Sequence, residues 1–552
     1  MIERVVVRRG VYHDPVAVML ASRDARSIEG VRHVAAGMGD PLNLVVLRVR
    51  HGYNLDGSGR VGPDDLVIGV RADTEEEAER AVAVVEHTLA ERHGGRQVVD
   101  IGPYVFAGQR RGNGVIRPIE WRPATRPEAA PVLARLAPHA ERIARANDLV
   151  VQRMQEARPL LVGVGTAGEL LQGMTARTFL HAGPPIDWPE MCGPMRGAII
   201  GAAIFEGLAA NPGDAIQQAE SGQFEFAPGH ERAALGPMAG VVSYSMPMWV
   251  VENDVHHNLA YCSLNEGLGR VLRYGAFEAA VIERLHWMRS VLLPVLAAVV
   301  AALPTPLDLR ALCAGAVEMG DEVHNRNRAA TSLLLRTLAP VLVELDQPKT
   351  VVAEVARFIA GNDYFHLNLS MASAKATADA ASGVEHSTIV TTLARNGTEF
   401  GLRTSGTGDR WFTAPSSEID GLYIPGYTPA DANPDMGDST ITETIGLGGF
   451  ALAGAPAVTN WAGCTADDAV RATLAMYDIT WAESTNYRIP ALGYRGAPLG
   501  IDCRKVVETG ILPACDTGIA HREPGVGHIG GGTVRPPIAP FVAALEDLAK
   551  LG

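Results

Sequence analysis

Between residues 396 and 449 the chain interleaves glycine with arginine, aspartate, asparagine, serine and threonine in a way that core packing does not require. It reads Asn396-Gly-Thr-Glu-Phe-Gly-Leu-Arg403-Thr-Ser405-Gly-Thr-Gly-Asp409-Arg410-Trp-Phe and then Asp431-Ala-Asn-Pro-Asp435-Met-Gly-Asp438-Ser-Thr-Ile-Thr-Glu443. The apolar periodicity here is too weak for simple packing. Glycine lets backbone approach a ligand or take positive φ. Arg403 and Arg410 carry planar forks of donors suited to anions. The stretch predicts an anion-binding active site built from loops, for a small substrate. Solvated turns are the plainer reading of the same residues.

Four further segments could join it. Gly163-Val-Gly165-Thr-Ala-Gly168 fits GxGxxG after an expected strand and before an expected helix, where amides cradle phosphate. A dinucleotide also wants an acidic residue about twenty positions on. Asp187 has that spacing but sits in a Pro-rich turn, so phosphate or carboxylate is the expected ligand; a tight strand–helix turn is the alternative. His181, at the end of an expected strand 178–180, leads through Ala-Gly-Pro-Pro into Cys192-Gly-Pro-Met-Arg196-Gly. There His181 is read as an acid or base and Arg196 as an anion holder, against a satisfied histidine in a rigid turn. Gly236-Pro-Met-Ala-Gly echoes the second motif, and Gly-Pro at a helix start leaves amides facing outward. Near the C-terminus, Asp516-Thr-Gly-Ile-Ala-His521 and Gly530–Gly532 offer a proton carrier and close-approach amides.

Two polar clusters remain open in role. Glu252 to Asn258, with Asn265-Glu266-Gly267 beyond, has metal-binding residue types but no defensible metal spacing. Met319 to Arg328 interrupts an apolar helical region, and on a helix Asp321, His324, Asn325 and Arg328 would share a face. A buried network and a substrate contact both fit it. No metal and no cofactor is expected, and neither a Walker loop nor a GxSxG elbow is present.

A chain of 552 residues needs two to four cores. Its net charge of −14 and lack of a basic, aromatic stripe argue against nucleic acid. Six scattered cysteines without CxxC pairs, and an N-terminus without an apolar core, fit a reduced cytoplasmic protein. The apolar run 291–303 contains Pro294, is too short to span a bilayer, and reads as a buried helix.

The elements that position these residues give a multidomain α/β chain. Strands at 3–9, 31–37 and 65–71 and helices at 14–28 and 74–92 make residues 1–92 a ferredoxin-like α+β domain. Residues 93–130, rich in Gly, Pro and Arg, are read as a linker, with one strand at 103–107. Helix 133–158, strand 160–164 and a helix from 168 suggest a Rossmann-like part over 131–270. A helical part follows over 271–384. A mixed α+β part with Gly-rich loops closes the chain over 385–552, with strands at 388–394 and 400–403.

The blocks His181-Ala-Gly-Pro-Pro, Gly193-Pro-Met-Arg-Gly, Val251-Glu-Asn, Leu264-Asn-Glu-Gly, Met319-Gly-Asp-Glu, Arg395-Asn-Gly, Gly408-Asp-Arg-Trp-Phe-Thr-Ala-Pro, Asn433-Pro-Asp-Met-Gly-Asp-Ser and Thr517-Gly-Ile-Ala-His resemble the YlbE-like family over about 131–545. Residues 1–92, with Arg9-Gly-Val-Tyr-His-Asp-Pro-Val and Gly37-Met-Gly-Asp-Pro, resemble the N-terminal domain of FdrA proteins. The chain departs from FdrA in lacking the later CoA-ligase-like domains. The resemblance implies an oxamate carbamoyltransferase type of complex, which moves a carbamoyl group from a ureido acid such as oxalurate to phosphate. It implies further subunits and small anionic substrates; the Ala/Leu-rich helices of 285–380, with more apolar surface than a thin domain needs, predict a homo-oligomer, and charge and hydropathy predict no nucleic acid or membrane partner. On that reading Arg196, Arg403 and Arg410 hold anions, and His181 or His521 carries the proton. Asn396 and Ser405 orient the ureido group, and Gly165, Gly168, Asn265, Glu266, Asp409, Asp435, Asp438 and Glu443 line the substrate. A hydrolase of ureido or cyclic-amide bonds and a non-catalytic assembly subunit are the alternatives.

Overall fold

A run of valines, Val5–Val7, in β1 (Ile2–Arg8) and an almost fully buried β3 (Leu66–Ala72) form the centre of the first unit. The computed structural model describes residues 2–9, 15–39, 43–44, 46–55, 61–62, 65–91, 130–458 and 465–550. β3 pairs antiparallel with β1 and with β2 (Val31–Met38), in the order β1-β3-β2. Helices α1 (Pro15–Arg26) and α2 (Glu75–Glu91) bury Val18, Ala21, Val82 and Val85 in its core. Thr74 and Glu77 form a reciprocal N-terminal cap on α2 (2.8 and 3.3 Å), and three glutamates fill its first turn, which suits the helix dipole. The βαββα order is as expected. The expected linker, with its strand at 103–107, and the cap at Asp14 lie outside the described residues.

Compact units divide at 103/104. Limited proteolysis is expected to cut within 93–130 and leave a stable C-terminal fragment; cuts scattered through 140–380 would remove that boundary.

In the second unit the mixed α/β class holds, but its first sheet is built differently from a Rossmann unit. β4 (Pro159–Thr166) pairs antiparallel with β8 (Pro247–Asn253) and with β10 (Leu307–Asp308). β9 (Leu259–Ser263) and β7 (Ala234–Leu235) complete the order β10-β4-β8-β9-β7. After β4 comes one helical turn, Ala167–Leu170, not a crossover helix. Among the described residues, parallel pairing is confined to the short β7–β9 edge of this sheet and to a separate pair, β5 (Thr178–His181) with β6 (Glu225–Pro228). Gly193-Pro does start a helix, α3 (Gly193–Phe205), whereas Gly236–Gly240 is a turn with Met238 at φ 59°.

The middle region is helical as expected, although residues 321–327 are an irregular link between helices Leu309–Glu318 and Arg328–Glu344. The run 291–303 belongs to a longer helical stretch, Ala279–Ala302, which by length and composition could cross a membrane. A π turn at Met288–Leu292 precedes Pro294, where its missing N–H is tolerated. Val281, Leu285, Leu296 and Val299 of this stretch join the main core. Helix α4 (Leu367–Ala380) is buried on all sides over 367–378, and packs against β8, β9 and the 3₁₀ stretch Ser439–Ile445.

The Gly-rich segment is less open than a set of loops. β11 (Val390–Asn396) and β12 (Glu399–Thr404) form a hairpin, extended by β13 (Phe412–Pro415) and β15 (Met436–Gly437). The following 3₁₀ stretch Ser439–Ile445 is buried throughout. Among the later strands, β14 (Asp420–Tyr423), β19 (His528–Val534) and β18 (Cys515–Ala520) make a separate sheet.

Candidate functional site

Asp438 begins the buried 3₁₀ stretch and gathers three parts of the chain. Its carboxylate accepts the N–H of Gly183 (2.9 Å) and of Gly236 (3.2 Å), and His230 Nε2 stands 3.2 Å from Oδ1. Gly183 follows β5 at φ 81°, and a Cβ there would stand 2.4 Å from the Asn396 nitrogen, so glycine alone fits. His230 lies in the 3₁₀ turn Gly229–Arg232 that ends β6, parallel to the end of β5 where His181 sits. Both histidines are buried, and burial lowers their pKa despite the nearby Asp438 charge, so both are neutral near pH 7. Neither ring nitrogen of His230 makes a hydrogen bond of good geometry; placing the proton on Nε2, 3.2 Å from Asp438 Oδ1, leaves the lone pair on Nδ1.

Arg403 on β12 completes this centre. Its guanidinium lies over the Trp411 ring at 4.2 Å, and the His230 ring meets Trp411 edge-on at 5.7 Å. Asp409, almost fully exposed, reaches Nη1 at 3.4 Å, and Glu231 stands 3.7 Å from Nη2, beyond a hydrogen bond. Nε and Nη2 of Arg403 and Nε1 of Trp411 are buried without a partner. Lys375 on α4, paired with Asp379 at 2.7 Å, adds positive charge that reaches His230. Each orphaned donor costs about 1–3 kcal/mol unless an acceptor completes it. Three such donors, two of them on the Arg403 cation, with Lys375 and a neutral imidazole nearby, have the chemistry to hold a small oxyanion and accept its proton.

Of the residues expected from sequence, the fold brings His181, Arg403, Asp409 and Asp438 to this centre. Others serve the framework. The GxGxxG amides are already used: Ala167 N–H bonds Met246 O, Gly168 N–H bonds Tyr244 O, and Thr166 caps with Glu169. A Cβ at Gly168 would strike the Tyr244 ring, and one at Gly165 would crowd Leu170, so packing accounts for both glycines. Asn396 turns the β11–β12 hairpin by accepting from Thr398 and Glu399 and donating to Pro184 O. Ser405 donates to Ala381 O. Arg410 is half exposed and paired with Asp547 at 2.5 Å. Arg196 bonds Pro189 O and lies over Trp188. Asp435 holds Arg395 bidentately. Asn265 bonds Asn368, Glu266 accepts from Leu272 and Arg273, and Glu443 pairs with His324. His521 accepts from Glu523 N–H beside Tyr427, away from Asp438.

Sequence reasoning missed His230, Trp411 and Lys375. Trp411 stood inside a quoted motif without a role. Lys375 lies in an Ala/Ser-rich helix, where a single charge in the run 367–378 was the available signal. For His230 there was none beyond Pro228-Gly-His-Glu at a strand end.

The chain is 48% identical over 410 residues to "Oxamate carbamoyltransferase subunit AllG" of Escherichia coli (strain K12), covering 74% of this chain and 98% of that protein. The chain belongs to the AllG family. Residues 224–439, which hold all of the centre except His181 and Gly183, match the family model "Oxamate carbamoyltransferase subunit AllG". Residues 1–100 match "AllF, heavy metal-associated domain". Both resemblances read from the motifs thus hold. "Uncharacterized protein YahG" of the same organism is 43% identical over 453 residues, 81% of this chain and 96% of that one. A crystal structure of a conserved protein of unknown function from Enterococcus faecalis V583 superimposes with a TM-score of 0.73 at 46% identity, over 74% of this chain and 98% of that chain.

The described residues of the AllF-like unit show no group that fits the metal in that domain's name. Positions 1–100 contain no cysteine, and among the described residues no group of three or more His, Cys, Asp or Glu could hold a metal ion.

Proposed function

We propose that this chain is a catalytic subunit of an oxamate carbamoyltransferase type of complex, and that the centre around Arg403 binds the phosphate or carbamoyl phosphate of its reaction. Family membership supports a place in such a complex. The observation that carries the catalytic reading is the set of unpartnered donors of Arg403 and Trp411 beside the Asp438–His230 pair. In the reaction, hydrogen phosphate attacks the ureido carbonyl carbon. A C–O bond forms and the C–N bond to the leaving amide breaks. His230 Nδ1 takes the phosphate proton and returns it to the leaving nitrogen. The orphaned donors bear the phosphate charge and lower the cost of bringing an anion to a polar carbonyl.

The test is cleavage of oxalurate by the full chain, alone and with its partner subunits. Phosphate dependence is expected, with arsenate also supporting turnover because carbamoyl arsenate hydrolyses at once. Equal cleavage without either anion makes the chain a hydrolase, and no cleavage of any ureido acid with partners present favours an assembly subunit. In the same assay Arg403→Lys keeps the charge and loses the fork. We expect kcat/KM to fall about 10-fold to 1000-fold, or roughly 1.4–4 kcal/mol, with folding unchanged. An unaltered rate in folded variant removes Arg403 from the site.

A further inference from the structure

Arg403 faces three carboxylates, and one of them is already spent. Asp379 holds Lys375 Nζ at 2.7 Å. The other two stand at the two ends of the guanidinium fork, Asp409 Oδ1 3.4 Å from Nη1 and Glu231 Oε1 3.7 Å from Nη2. Asp409 is at the outer limit of a hydrogen bond and Glu231 is beyond it. Burial lowers the Arg403 pKa, and Asp409, Glu231 and Asp379 act against that shift in that order. Among the described residues, the long contact with Nη1 is the only hydrogen bond to the Asp409 and Glu231 carboxylates.

The neighbouring sequence holds both carboxylates where they are. Glu231 follows His230 in the 3₁₀ turn Gly229–Arg232, which ends at Ala233 in the left-handed region, φ 52°. Asp409 follows Gly408 at φ 60°, and Arg410 after it is tied to Asp547. A Cβ at Gly408 would meet nothing within 4 Å, so the φ angle alone calls for glycine. Two anchored turns thus present side chains that are 98% (Asp409) and 43% (Glu231) exposed, beside an arginine side chain that is 6% exposed. Exposed ion pairs contribute little, so stability gives small reason for two carboxylates at one fork. They lie beside the orphaned donors Nε and Nη2 of Arg403 and Nε1 of Trp411.

We infer that Asp409 and Glu231 are specificity-determining residues that read the NH2 of a carbamoyl or ureido group, while Arg403 and Trp411 hold the oxygens of the same ligand. The inference rests on the anion site proposed at Arg403 and names the class of anion it takes. Hydrogen phosphate has a single O–H, which goes to His230. Carbamoyl phosphate and ureido acids set an NH2 beside an acceptor oxygen. That edge matches a guanidinium beside a carboxylate, donor to acceptor and acceptor to donor. In acetyl phosphate a methyl group replaces the NH2 at similar size, and the carboxylates gain nothing for the water they give up. A site that hydrogen-bonds a substrate N–H rejects the analogue lacking it for this reason.

The test is calorimetric titration of the full chain with freshly prepared carbamoyl phosphate, with acetyl phosphate and with inorganic phosphate. The wild type should bind carbamoyl phosphate about 10-fold or more tighter than acetyl phosphate, the worth of one hydrogen bond to a charged group. Removing a negative charge tightens every anion alike, so the ratio of the two affinities is the readout. In the Asp409→Ala, Glu231→Ala double variant that ratio should fall to near 1, and each single variant should lower it part of the way. Both side chains are exposed, so the variants should fold. Arg403→Lys should weaken all three ligands. Equal wild-type affinity for carbamoyl and acetyl phosphate, or a ratio that survives in the variants, overturns the NH2 assignment; a loss of binding in Arg403→Lys then leaves the anion site standing. Failure of all three ligands to bind overturns both.

Discussion

Replacing His230 with glutamine is expected to lower kcat for phosphate-dependent cleavage of a ureido acid by about 10²–10⁴-fold, the usual worth of a positioned proton carrier. That equals roughly 2.7–5.5 kcal/mol of barrier. Glutamine keeps a polar group near Asp438 but cannot take and return a proton. KM for phosphate should change far less than kcat, because Arg403 and Trp411 hold the anion. The pH profile carries an independent check. His230 acts as a neutral base, and burial holds its pKa below the usual 6.5. The acid limb of the wild-type profile should therefore lie below pH 6.5 and vanish in the variant. The stability sign agrees: the unfolded chain takes up this proton near 6.5 while the folded chain does not, so stability falls as pH drops below that value. A folded His230→Gln protein with wild-type kcat would sink the assignment.

Asp435→Ala is expected to destabilise the second unit by about 3–5 kcal/mol, because it leaves a buried guanidinium without its counter-charge. Arg395 is 1% exposed and Asp435 3%. They meet through two bonds, Nε to Oδ2 at 2.6 Å and Nη2 to Oδ1 at 2.9 Å. Thr517 donates to Asp435 at 2.8 Å, and Arg395 Nη1 donates to Gly437 O and Thr440 Oγ1. Every donor of this arginine that points inward is used, in contrast to Arg403. A urea midpoint that falls with an unchanged slope would measure the loss. A loss under about 1 kcal/mol would show that water or a rearranged neighbour replaces the carboxylate. Asp435 and Asp438 lie three residues apart in one motif, yet one locks the hairpin to β18 and the other serves the site.

That contrast marks the limit of sequence reading. Residue types and local spacing determined much on their own. A β-branched valine run and a Thr74–Glu77 cap point to the βαββα order of the first unit, because strand and helix propensities and caps are local properties. Gly-Pro starts α3 for the same reason. The concentration of Arg, Asp and Gly over 396–449 marked a segment that contributes Arg403, Trp411 and Asp438 to the cluster proposed as the site. Separated motifs pointed to the family, since each is a short string needing no fold to be read.

Pairing between distant segments was not legible. The strand before Gly163-Val-Gly165-Thr-Ala-Gly168 looked like the start of a parallel β/α unit, but only tertiary structure placed β8 and β10 antiparallel to it. Its glycines then serve close packing against Tyr244 and Leu170. Which polar residues are left without partners is likewise decided by packing. Arg395, Arg403 and Arg410 are one residue type within sixteen positions, but the fold pairs the first completely, buries two donors of the second without a partner, and ties the third to Asp547. His230 and Lys375 reach Arg403 from 173 and 28 residues away in sequence, brought by β6 and α4. Hydrogen-bond satisfaction is a property of the whole fold, and it is what separates the fully paired Arg395 from Arg403.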